Sequence, residues 1–239
     1  MIFTRTLFFF FAVVTLRAQA QDVDEVISKY ISFTGGEQKW RSVQSIVTSG
    51  TYNYGGIEFP FTAYSKRPNL YKFIVPFKGK YFAQSFDGKK GWKIDAFKGE
   101  TKKTYLTGKP AVALANEADV ELENPFINYQ TKGHKAMLEG KDSVDGQLCF
   151  KVILTRKDGE TETYYFSGSD YSLVKKMAVS KNAELEKAIL ETSYSNYQTV
   201  QGIKIPYSAV SKVGDQNILT IIIKKVRVNV PLAASLFKG

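Results

Sequence analysis

Few side chains in this 239-residue sequence carry nucleophilic or metal-binding chemistry. There is one histidine, His134, and one cysteine, Cys149. A cysteine nucleophile needs a base, and His134 is the only imidazole that could serve. A Ser–His–Asp site would depend on the same residue, which stands in Lys132-Gly133-His134-Lys135 and reads as a lone surface histidine. One His and one Cys cannot hold zinc without carboxylates, and neither HExxH nor CxxC spacing occurs. No phosphate-binding P-loop or GxGxxG turn is present. The densest acids are Glu117, Asp119, Glu121 and Glu123. Such a cluster could supply a glycosidase pair or a Ca²⁺ site. They alternate with Ala118, Val120 and Leu122 as a solvated face would, and EF-hand spacing is absent. The expectation is a protein that is not an enzyme, with no catalytic residue, no metal and no cofactor.

The chemistry that remains is apolar. Several segments place large apolar groups at every second position: Ile57, Phe59, Phe61 and Ala63; Tyr71, Phe73, Val75 and Phe77; Trp92 and Ile94; Leu148, Phe150, Val152 and Leu154. Period 2 makes each set one face of a strand. Such faces can fill a core or line a ligand cavity, and the pattern alone does not separate the two. The candidate cavity residues are Phe59, Phe61, Tyr71, Phe73, Trp92, Ile94 and Phe150.

These sets must be positioned by strands. Residues 22–33 come first and are helical, with Val23, Val26, Ile27, Tyr30 and Ile31 on one face and Asp22 and Asp24 at the start. Gly35-Gly36 ends that helix. After Trp40 the period changes to 2. Strands are expected near 43–54, 57–66, 69–76, 80–86 and 91–97, with a short one at 102–106. Pro60 and Pro76 should mark edges, bulges or ends, because proline lacks a ladder donor. Residues 109–130 break the pattern: 111–118 have helix-former composition, and Asn124-Pro125 predicts a second short helix through Phe126, Ile127 and Tyr129. Strands resume near 134–141, 147–156, 160–167, 171–180, 186–198, 202–213 and 216–230. Turn signals between neighbours indicate antiparallel hairpins. About a dozen strands in one sheet must curl or close. The fold class is mainly β with a few helices, in one domain over residues 21–239.

Residues 1–20 read as a signal peptide: Arg5, an apolar run from Leu7 to Leu16, and Ala18-Gln19-Ala20 as the cleavage signal. That run is too short to span a bilayer. Loss of Arg5 and Arg17 lowers the formal charge from +10 to +8. The lysines are scattered; the nearest to a cluster is Lys78, Lys80, Lys89, Lys90, Lys93, Lys98, Lys102 and Lys103. A solvated face or a lipid-surface patch fits these, and export argues against nucleic acid. Cys149 has no partner for an intramolecular disulfide and reads as a structural thiol. Position 21 is Gln, not Cys, so a lipid anchor on the mature chain is not expected.

Two motifs carry a resemblance to a known family. Lys66-Arg67-Pro68-Asn69-Leu70-Tyr71 and Ser85-Phe86-Asp87-Gly88-Lys89-Lys90-Gly91-Trp92 resemble LolA, the periplasmic lipoprotein carrier family, in content and spacing. Gly140–Gly146, Tyr197–Pro206 and Val228-Asn229-Val230-Pro231 are similar to LolA-like outer-membrane lipoprotein-sorting proteins. The resemblance implies a half-open antiparallel β-barrel of about 11–12 strands covered by short helices, as in LolA and LolB. It implies that the cavity holds acyl chains and that Arg67 closes a helical lid by donating to lid carbonyls. The structural alternative is that Arg67 caps the turn before Pro68. Tyr71 falls where the family has an apolar residue near the cavity mouth, and Trp92 also suits barrel packing.

By resemblance the function is a soluble periplasmic carrier, acting as a monomer, that takes acylated lipoproteins to the outer membrane. Its partners would be lipoproteins or lipids and transient sorting components of the inner and outer membranes. A general lipid binder or envelope sensor on the same scaffold is the alternative, and an unrecognised envelope hydrolase is a third.

Overall fold

The structure is a computed structural model that describes residues 22–122, 124–180, 185 and 187–239. The expected signal peptide, residues 1–20, and Glu123 lie outside the described residues.

Helix α1 (Val23–Phe33) starts at Asp22, whose carboxylate accepts from Asp24 N at 3.4 Å. It buries Val26, Ile27 and Tyr30, the face marked by its 3.6-residue period. A second helix, α2 (Glu37–Ser42), follows at once. Sequence reasoning missed it, because six residues are too few to show a period. Glu37 pairs with Arg41 one turn on, and Trp40 anchors the helix by donating to Thr34 Oγ1 at 3.0 Å.

Thirteen strands follow: β1 (Ser45–Tyr54), β2 (Ile57–Lys66), β3 (Leu70–Phe77), β4 (Lys80–Asp87), β5 (Gly91–Asp95) and β6 (Glu100–Tyr105), then β7 (Lys135–Val144), β8 (Gln147–Thr155), β9 (Thr161–Ser167), β10 (Leu173–Val179), β11 (Ile189–Val200), β12 (Ile203–Val213) and β13 (Gln216–Val228). Between the two groups lies α3 (Gly108–Leu122). All strands form one antiparallel sheet in the order β6-β5-β4-β3-β2-β1-β13-β12-β11-β10-β9-β8-β7. It is mainly β and half-open, as expected. The thirteen strands match the thirteen segments read from the sequence and exceed the 11–12 that the resemblance implied; the short segment after the turn at Ala96–Lys98 is a full edge strand, paired through Trp92–Tyr105 and Lys93–Thr104.

Each half is a plain meander, and β1 joins the halves by pairing with β13. The register there shifts between Ser49 and Gly50. A Cβ on Gly50 would sit 2.0 Å from Ile222 O, so only glycine allows this approach. A bulge adds bend and twist, which helps curl a sheet of this width. The ladder between β2 and β3 stops at Thr62–Ile74. Beyond it the strands splay, and Pro60 and Pro76 stand in the unpaired stretch, where a missing N–H costs nothing.

Register divides the sheet into two faces. The concave one carries Ile46, Tyr52, Phe61 and Phe73 in the first half and Phe150, Val152, Leu154 and Tyr164 in the second. Helices α1 and α2 close one end of the concavity. Val26, Ile27 and Tyr30 pack on Phe150, Val152, Leu154, Tyr164 and Phe166, while Trp40 and Val43 pack on Ile46, Ile203, Val226 and Val228.

Residues 124–134 are not the second short helix that Asn124-Pro125 suggested. They form successive turns. Asn124 Oδ1 accepts from Phe126 N at 3.0 Å, and Asn128 takes a positive φ of 54° that a helix does not tolerate. Packing decides this. Phe126 and Tyr129 enter the core under α1, whereas Ile127 enters the one beside Trp40.

Candidate functional site

The two unpaired edges, β6 and β7, are consecutive in the chain, and α3 connects them. The connection therefore crosses the opening of the half-barrel. Leu114 and Ala118 of α3 are buried against Phe61, Ala63, Tyr71, Val75 and Phe86, with Tyr52, Phe59, Phe73 and Phe82 half-buried around them. Gly91 lies under the helix, with a Cβ position 3.0 Å from Leu114 Cδ2. The outward side of α3 leaves Val112 exposed.

The face under α3 is an aromatic array. Phe73 meets Phe61, Tyr52 and Phe82 at ring separations of 5.6, 5.8 and 6.5 Å. Phe59 meets Phe77 at 4.9 Å and Phe97 at 5.9 Å, toward the open end. Ile57, 53% exposed, extends the array to the β1–β2 turn. Edge-to-face pairs hold such rings in defined orientations. The array therefore presents a continuous apolar surface toward α3.

Polar contacts hold α3 at two points. The Tyr71 phenol donates to Glu117 Oε1 at 3.0 Å, and Gln84 Nε2 donates to Glu117 Oε2 at 3.3 Å. On the other side Asn116 Nδ2 donates to Asp158 Oδ2 at 2.9 Å, in the β8–β9 turn. The helix is thus tied to both halves of the sheet. Glu117 belongs to the acidic cluster read as a solvated face; it is exposed, yet it carries this contact. The surroundings of the side chains at 119–122 are not described.

Four of the seven candidate cavity residues come together here: Phe59, Phe61, Tyr71 and Phe73. The other three do not. Phe150 is buried in the core under α1, stacked on Tyr171 at 5.4 Å. Trp92 and Ile94 fall on the opposite, outer face, because Trp92 pairs with Ser85 and Ile94 with Ala83. The C-terminal tail covers Trp92 there. Phe237 is fully buried, and its carbonyl accepts from Trp92 Nε1 at 2.9 Å and from Ser85 Oγ at 3.0 Å. Lys72 Nζ, held below its usual basicity first by burial and then by Lys103, donates to Leu236 O at 3.0 Å. An outer face roofed by a tail shows the same alternation as an inner one. The outer face also holds an open hollow of about 540 Å³ where β2 and β3 splay, lined by Pro60, Ile74, Pro76 and the Phe77–Lys80 turn.

Arg67 donates to backbone carbonyls at the end of α2, Nε to Val43 O at 2.6 Å and Nη2 to Trp40 O at 3.0 Å; these two bonds hold α2 and not α3, the helix that crosses the opening. His134 is not on the surface; it is 7% exposed and its Nδ1 accepts from Lys157 N at 3.1 Å. The turns at 124–134 carry it inward. Cys149 is fully buried with its thiol pushed up by burial, as a structural thiol should be.

The concave face of the second half is more polar. Glu162, Arg156 and Tyr164 are buried there, and Glu162 accepts from Tyr164 Oη at 2.7 Å and from Lys176 Nζ at 2.9 Å. Burial pushes the Glu162 carboxyl up. The facing Lys176 ammonium, the Tyr164 hydrogen bond and Arg156 outweigh it and leave the group below the usual carboxylate range. Among the described residues no group of three His, Cys, Asp or Glu side chains could hold a metal ion, and no helix is long and apolar enough to cross a membrane.

No protein-family model matches the sequence, and no curated protein matches it. Solved structures do match, over nearly the whole chain. A DUF1329 family protein from Desulfovibrio piger superposes with a TM-score of 0.63 at 14% identity, covering 91% of this chain and 97% of its own. A LolA superfamily protein from Nitrosomonas europaea gives 0.59 at 11% identity, covering 92% and 99%. A domain described as an outer-membrane lipoprotein-sorting protein, from Vibrio parahaemolyticus, gives 0.56 at 12%, covering 89% and 94%. At such identities the likeness is one of fold. The fold is LolA-like, an open half-barrel crossed by a helical segment, and the likeness read from the two motifs holds at that level.

Proposed function

We propose that the protein is an exported carrier that holds acyl chains of lipoproteins between the aromatic array and α3 for transfer to the outer membrane. The observation that carries this reading is the construction of the α3 crossing. A continuous apolar face lies under one amphipathic helix tied down by a few polar contacts. Burying an alkyl chain there is worth about 0.8 kcal/mol per CH₂ relative to water, which offsets what the same methylenes lose on leaving a membrane. Release requires only that α3 lift, so covered and open states must differ by a few kcal/mol.

The signal-peptide reading of residues 1–20 supports an exported carrier. So does the lipoprotein-sorting description of the Vibrio relative. Native mass spectrometry of protein purified from its own envelope tests the proposal. A co-purifying acylated peptide is expected. A bound free lipid would replace this reading with a general lipid binder, and hydrolase activity of an empty protein would replace it with an enzyme.

A further inference from the structure

Arg156 is 3% exposed at its side chain and spends one guanidinium N–H on Glu162, at a long 3.4 Å. Its other guanidinium donors meet no acceptor among the described residues. Lys176 reaches Glu162 from the adjacent strand β10, at 2.9 Å, and keeps 24% of its side chain exposed. Among the described residues Glu162 thus faces two cations. Its Oε2 takes Arg156 and Tyr164, and its Oε1 takes Lys176. Among the described residues this set holds two cations to one carboxylate, with Arg156 and Glu162 buried and the remaining Arg156 donors at the solvent margin. A buried cation with free donors is costly unless an anion completes its shell.

The register shows what lies beside this surplus. Cross-strand pairs run in a continuous row over the concave face: Tyr164–Lys176, Lys176–Thr192, Thr192–Ser211, Ser211–Leu219, Leu219–Tyr54 and Tyr54–Ile57. Thr192 and Ser211 share a hydroxyl hydrogen bond of 2.9 Å. The row is charged and hydroxylated on β9–β12 and apolar on β13, β1 and β2, where it joins the aromatic array. From Lys176 to Tyr54 it crosses four strand spacings, roughly 19 Å, against roughly 15 Å for the acyl layer of one leaflet.

We propose that Arg156 and Lys176, with Tyr164, Thr192 and Ser211, form the head-group end of the site, so that its ligand is an amphiphile with one anionic group and an apolar tail. This rests on the apolar-ligand reading above and names the ligand class for the same site. A carboxylate or a phosphate monoester supplies the shared chemistry: oxygens that accept the free guanidinium N–H groups and the ammonium. Lys176, being partly exposed, is where the head group first makes contact; Arg156, deeper, holds it once α3 covers the tail.

The test is displacement of N-phenyl-1-naphthylamine, a neutral apolar fluorophore, from the full chain by dodecanoate, dodecyl phosphate and dodecanol, each below its micelle concentration. The two anionic compounds should displace it at concentrations at least about tenfold below dodecanol. Arg156→Met and Lys176→Met should each shrink that ratio toward one, and Lys176→Arg should keep it. Near-UV circular dichroism checks that each variant is folded, and the more exposed Lys176 gives a readout should Arg156→Met unfold. Equal displacement by all three compounds, or a ratio that survives both methionine variants, overturns the head-group site and leaves the apolar site standing. Failure of dodecanol and both anions to displace, or of the fluorophore to bind, overturns the apolar-ligand reading and this one with it. Inorganic phosphate binding as tightly as dodecyl phosphate overturns the amphiphile in favour of a free anion.

Discussion

Tyr71 on β3 and Glu117 on α3 share a 3.0 Å hydrogen bond in which the phenol donates and the carboxylate accepts. The sheet supplies the buried partner and the lid the exposed one. Tyr71→Phe keeps the ring and removes the donor. Because Glu117 is exposed, the cost to global stability should be about 1 kcal/mol or less. The effect should concentrate in α3, whose amide hydrogens should exchange up to about fivefold faster, as expected for a loss of that size. Unchanged exchange in α3 would show that the bond does not hold the lid.

Arg67 should matter more to stability. Arg67→Leu frees the carbonyls of Trp40 and Val43 from their charged donor, at a cost of about 3 kcal/mol. The protein should remain folded at room temperature with a lowered melting point and altered ligand loading or release. Arg67→Lys should recover only part of the loss, because a single ammonium cannot reproduce the guanidinium fork. A melting curve identical to that of the unchanged protein contradicts this.

Phe237→Ala should cost about 3–4 kcal/mol, the range for a fully buried phenylalanine. Its readout is separate from the lid. Trp92, beneath the tail, should become solvent-exposed, with a red-shifted emission. An unshifted spectrum would mean that the tail stays down without its anchor.

Glu162 predicts an acid limit. Its carboxyl titrates lower in the folded protein than its ordinary value of 4.5, so the unfolded chain binds the proton first on acidification. The stabilisation is complete well above pH 4.5 and is lost as pH falls from there through the folded value. Glu162→Gln should flatten stability against pH in that window while leaving the shape above it unchanged. Chemical denaturation at a series of pH values measures both curves.

Much of this fold was legible because antiparallel strands announce themselves. Phe59-Pro60-Phe61 and Tyr71-Lys72-Phe73 alternate cleanly, and Asp145-Gly146 or Gln201-Gly202 closes a hairpin wherever a turn is needed. What the alternation cannot reveal is which side of the sheet a face belongs to. Trp92 and Phe73 look alike in sequence. Register puts them on opposite faces, Phe73 beside Gln84 and Trp92 beside Ser85, and residues near Phe237, more than a hundred positions later, roof the outer one. Local preference also failed between Asn124 and His134, where Phe126 and Ile127 are drawn into different cores and no helix can serve both. The basic pair was hidden for another reason. Arg156 and Lys176 are unremarkable among scattered basic residues until register sets them around Glu162.

The pairing of β1 with β13 carries a consequence for how the molecule comes into being. Ile46, near the start of the described chain, finds its sheet partner in Val228, near the end. Each flanking meander can zip up from local hairpins, but the seam between them awaits the last strand, and contacts of such long sequence separation slow folding. A nascent chain cannot complete its sheet before nearly all of it has been made. In the export proposed above, this topology would defer the final closure of the sheet to the far side of the membrane.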